Sequence, residues 1–65
     1  MINYNFYISE EKKHLEYLIT KEKSSDIHGN YSYYILYLRS HKKFKTNNEI
    51  MNLADTLENI CAKNI

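Results

Sequence analysis

Hydrophobic positions along this 65-residue chain gather into three stretches separated by short polar clusters. In the first, Leu15, Leu18 and Ile19 recur at i, i+3 and i+4, with Ile8 one turn further back. Ser9 is placed to cap such a helix, and Glu10 and Glu11 suit the positive end of its dipole. The cluster Lys23-Ser24-Ser25-Asp26 competes for backbone hydrogen bonds and should weaken it. In the last stretch, Ile50, Leu53, Leu57 and Ile60 follow at heptad spacing, reinforced by Ala54 and Cys61. Asn52, Asp55, Thr56, Asn59 and Lys63 then face water, and Thr46 with Glu49 reads as a capping box. Helices over about 9–23 and about 47–63 are the expectation.

The middle stretch, Tyr31-Ser32-Tyr33-Tyr34-Ile35-Leu36-Tyr37-Leu38, holds four of the seven tyrosines and has no polar side long enough to fix its period. As a helix over about 27–41 it places Ile27, Tyr31, Tyr34, Ile35 and Leu38 on one face and Tyr33 and Tyr37 on another. As a strand over about 31–38 it alternates Tyr31, Tyr33, Ile35 and Tyr37 against Tyr34, Leu36 and Leu38, and tyrosine favours strands. His28-Gly29-Asn30 would make a turn before it, and residues 2–8 also alternate like a strand. The pattern therefore admits an all-α bundle of two or three helices or an α+β (βαβα) arrangement.

Size and composition narrow the possibilities. One domain over 1–65 is expected, and a chain this short buries only about 60% of its unfolded surface. Small proteins compensate with disulfides, a metal or oligomerisation. Cys61 is the only cysteine and sits on an apolar stripe, which suits a core thiol in a reducing compartment. His14, His28 and His41 are too widely spaced for a typical zinc site, so surface or capping duty is expected, His14 pairing with Glu10. No cofactor is expected, since one glycine cannot build a phosphate-cradling loop. Homodimerisation is the remaining route to stability, and tyrosine-rich surface is suited to it.

Phe6-Tyr7-Ile8 leading into Lys12, His14, Leu15 and Glu16, followed by Ile27-His28 and Ser32-Tyr33-Tyr34, resembles the YvfG family of Bacillus. That resemblance implies a short, helical, homodimeric protein of unassigned function, and a helical tyrosine segment whose second apolar face is the dimer surface. The likeness covers much of the first half. The chain departs from it around Tyr17 to Lys23 and is more aromatic after Tyr34.

Function is expected to be binding rather than catalysis. Tyr31, Tyr33, Tyr34, Leu36 and Tyr37 are the expected dimer or partner interface, because tyrosine is enriched among binding hot spots. The basic run supplies a second possibility, with Arg39, Lys42, Lys43 and Lys45 along phosphates and Phe44 stacked on a base. Against it, the net charge is only +1, and cations at a helix end also satisfy the helix dipole. No segment approaches the length of a membrane span, and no signal peptide opens the chain, so a cytoplasmic protein is expected. Eight lysines against one arginine, with eight Asn and eight Ile, fit an AT-rich genome, hence a low-GC bacterium or its phage. The expectation is a small regulator or phage-borne inhibitor that binds itself and another protein.

Overall fold

The computed structural model describes residues 4–62. It is all-α: α1 (Tyr4–Lys23), α2 (Ser32–Ser40), α3 (Lys42–Lys45) and α4 (Asn48–Ala62). Leu15, Leu18 and Ile19 of α1 pack with Ile35 and Leu38 of α2, Phe44 of α3, and Ile50, Ala54 and Leu57 of α4. Every helix thus contributes to one core. Lys12 meets Glu49 near the start of α4, and Glu22 neighbours Cys61 near its end. The two long helices therefore run in the same direction, packed on each other, and α2 with α3 brings the chain back alongside them.

Local chemistry explains where each element starts and stops. Strand-like alternation in 2–8 does not produce a strand: residues 4–8 are the first turns of α1, and residues 2 and 3 lie outside the described range. Ser9 is consequently inside the helix rather than its cap. Ser24 ends α1 as anticipated, its hydroxyl donating back to the carbonyls of Thr20 and Lys21.

The middle segment is helical, which removes the strand alternative for 31–38. Its start is later than periodicity suggests. Residues 27–31 form a loop, the Ser32 amide donates to Asn30 Oδ1 at 2.9 Å, and Ile27 is 86% exposed instead of joining the inner face. At the other end His41 is extended, and the basic run folds into α3, a single turn that drives Phe44 into the core.

The capping box at Thr46 and Glu49 is replaced by a different cap. Asn47 Oδ1 accepts the Ile50 amide at 3.0 Å, one residue later than the box requires. Thr46 instead donates its hydroxyl to the Lys42 carbonyl, completing the α3 turn. Glu49 reaches across to Lys12 at 2.9 Å. The expected end of the last helix at residue 63 lies outside the described residues.

Asn47→Ala should lower unfolding free energy by about 1 kcal/mol in urea denaturation, the ordinary value of an N-cap. Thr46→Ala should lower it by much less. The reverse ranking would reinstate the Thr46–Glu49 box.

Candidate functional site

The α1 hydrophobic stripe continues past Ile19 to a carboxylate. Leu15, Leu18, Ile19 and Glu22 fall at i, i+3, i+4 and i+7, so Glu22 occupies a core position and is only 3% exposed. A buried charge is tolerated when hydrogen bonds replace its water. The loop that follows provides them. Tyr31 donates its hydroxyl to Oε1 at 2.5 Å, His28 donates Nδ1–H to Oε2 at 2.8 Å, and the Gly29 amide approaches Oε1 at 3.4 Å. The Tyr31 hydroxyl foremost, then His28, holds the Glu22 carboxyl below the usual carboxylate range. Tyr31 is correspondingly pushed up to about 12 by that bond and by burial. His28 is therefore a part-buried partner of Glu22, not the surface or capping histidine expected from spacing. The missed signal was the acidic residue in the apolar register of α1.

The same chemistry divides the four clustered tyrosines. Tyr31 and Tyr34 are half-buried, and both hydroxyls are taken by carboxylates of α1, Tyr31 by Glu22 and Tyr34 by Glu11. Tyr34 is also held above the usual phenol range, through burial first and then Glu11. Tyr33 and Tyr37 carry no such bond, and with Leu36 they point outward, at 86%, 44% and 60% exposure. Tyr33, Leu36, Tyr37 and Ser40 lie at i, i+3, i+4 and i+7. That is the spacing of a helix-pairing stripe, opposite the inward stripe of Ile35 and Leu38. Of the five interface residues expected, three form this outward face, and Tyr31 and Tyr34 chiefly fasten α2 to α1.

The basic run is dispersed by the fold. Arg39 turns toward α4, forking onto Glu58 through two 3.0 Å bonds and reaching Asp55 at 2.6 Å. Those bonds hold Arg39 above its ordinary range and, from the other side, hold Glu58 below its own. Phe44 is 2% exposed, so its ring cannot stack on a base, contrary to the sequence reading. Lys42 and Lys45 remain on the surface of α3. Lys43 lays its ammonium over Tyr7 at 4.7 Å and over Phe44 at 5.1 Å. Tyr37 and His41 complete an aromatic chain here, 5.8 and 5.7 Å from the Phe44 ring.

The remaining singled-out residues make no reactive arrangement. His14 stands edge-on to Tyr34 at 5.6 Å, while its expected partner Glu10 approaches Lys13 instead. Cys61 is partly buried against the core, and burial foremost raises its thiol pKa. Among the described residues, no three His, Cys, Asp or Glu side chains gather where they could hold a metal. An open groove of about 890 Å³ runs between the 26–31 loop, α2 and the end of α4, with Ile27, Tyr31, Leu36, Arg39, Glu58 and Cys61 in its lining. Among the described residues, no helix is long and apolar enough to cross a membrane. No family model, curated protein or solved structure matches the chain.

The Glu22 cluster carries a pH signature of defined sign. A carboxyl with a lowered folded pKa stabilises the fold above its unfolded pKa, near 4.5, and loses that effect as pH falls through the lower folded value. Tyr31 acts in the opposite sense. Its contribution is complete below its ordinary value of 10.0 and disappears as pH rises toward about 12. Urea midpoints should therefore decline on both flanks. Tyr31→Phe should shrink the alkaline decline, leaving the share of Tyr34, which is shifted in the same direction. An alkaline limb identical in Tyr31→Phe and the parent would contradict the assignment.

Proposed function

We propose that this protein is a non-enzymatic binding module that homodimerises and, as a dimer, engages and modulates another protein. The observation that carries the reading is the second apolar stripe on α2. A helix that is apolar on both faces is normally covered on both, and here the core covers one. Tyr33, Leu36 and Tyr37, together with Ile27 beside them, offer on the order of 500 Å² of side-chain surface. A standard interface takes roughly 800 Å² from each partner, so this stripe is a suitable centre for one. A second copy is its occupant. The chain has few other means of enlarging its core, and a net charge of +1 offers little mutual repulsion.

The resemblance to the YvfG family supports the same expectation of a helical homodimer. Biological context follows from composition alone: a cytoplasmic regulator of a low-GC bacterium, or an inhibitor carried by one of its phages. Such a dimer would act by occluding a site or by bridging two copies of its target. The rim of the α2 face, rather than its centre, is then the surface left for the target.

Light scattering on a sizing column should give a particle near twice 7.9 kDa. Tyr33→Ser combined with Leu36→Ser should raise the dimer dissociation constant by roughly 30-fold or more, the loss of a hot spot, with helical circular dichroism retained. Neither side chain is part of the buried core. A monomeric parent, or a variant dimer as tight as the parent, would remove this face from consideration.

A further inference from the structure

We propose that the face built by α3 and the start of α1 binds single-stranded nucleic acid, with Lys42, Lys43 and Lys45 on phosphates and the ring of Tyr7 under a base. This surface differs in composition from the one offered by the basic run as read along the chain. Arg39 leaves it for Asp55 and Glu58, and Phe44 becomes its floor. Tyr7, thirty-five residues from the centre of the run, enters it through the fold.

The charge on this face is not neutralised by its surroundings. None of the three lysines forms an ion pair among the described residues. Glu49 is paired with Lys12 at 2.9 Å, and Glu11, which keeps its charge, is turned to the Tyr34 hydroxyl. A single helical turn confines the three ammonium-bearing residues to roughly 6 Å of helix axis. A net charge of +1 for the whole chain therefore conceals a local cluster of three cations.

Rings accompany the charges. Lys43 Nζ lies 4.7 Å from the Tyr7 ring centre and 5.1 Å from that of Phe44, and Tyr37 lies 5.8 Å from Phe44. Tyr7 is close to half exposed, whereas Tyr37 belongs to the outward face of α2. Ammonium groups beside a partly open π-face match a strand whose phosphates alternate with unstacked bases. An acidic peptide would satisfy the lysines and leave the ring unused. A duplex would hide its bases from it.

The test is fluorescence anisotropy with a labelled ten-residue oligo(dT), titrated between about 25 and 200 mM salt. Three phosphate contacts to a single strand give a slope of log affinity against log salt near −2, since each contributes about −0.7. Lys42→Ser with Lys45→Ser should bring the slope to about −0.7 and weaken binding more than tenfold at the lowest salt. Tyr7→Leu should weaken binding at least fivefold with the slope unchanged, as expected for loss of a stacking ring. Arg39→Gln should leave the slope as in the parent, with circular dichroism checking that each variant is folded. Absence of binding at the lowest salt overturns the proposal. Equal affinity for an oligoglutamate of the same charge overturns it in favour of an acidic protein partner, and indifference to Tyr7→Leu overturns the role of the ring.

Discussion

One carboxylate organises this fold. Glu22 continues the apolar stripe of α1 into the interior, where an unpaired charge would be strongly destabilising. The chain immediately after it answers, with His28, Gly29 and Tyr31. Closing that loop fixes where α2 begins, and the first residue of a helix fixes which way every later one points. Tyr31 and Tyr34 are thereby turned toward α1, and Tyr33 and Tyr37 away from it. Gly29 has a steric part in this. A Cβ there would stand 3.3 Å from the Tyr31 ring, so a larger residue would push against the side chain that Glu22 holds.

The two long helices were legible in the sequence because their apolar positions repeat at helical spacing over several turns. Their starts were less so. Ser9 and Thr46 are good caps locally, but packing extended α1 backward past Ser9, and the α3 turn consumed Thr46 and left capping to Asn47. The tyrosine segment was ambiguous for a physical reason: a run that is apolar on every side has no period to read. What its pattern did contain was the division into two faces, which the fold preserves apart from Ile27. The Glu22 cluster was invisible because no spacing rule links an acid inside a stripe to a histidine six residues on and a tyrosine nine residues on. An acid in a core register is a question about partners, and that question can be asked of any sequence.

The basic run shows how a linear motif can mislead about chemistry while pointing to the right neighbourhood. Arg39 and Lys42 are three residues apart, yet the extended residue His41 separates a cation clamped onto α4 from one open to solvent. Arginine suits the clamp because its planar fork takes both oxygens of Glu58 and still reaches Asp55. The lysines, compact and mobile, are left to the surface. Phe44, the one apolar ring inside the motif, anchors α3 by entering the core and so props up the exposed rings around it.

The shared direction of α1 and α4 has a consequence for how the molecule can be probed. Tyr4 and Ala62 lie at opposite ends of the bundle. The pole that holds Tyr4 also carries Tyr7 and the α3 lysines, and the pole that holds Ala62 carries the groove and the Glu22 loop. The two poles thus have different neighbours. A label placed on one leaves the other clear, so each can be watched separately while the rest of the bundle stays as it is.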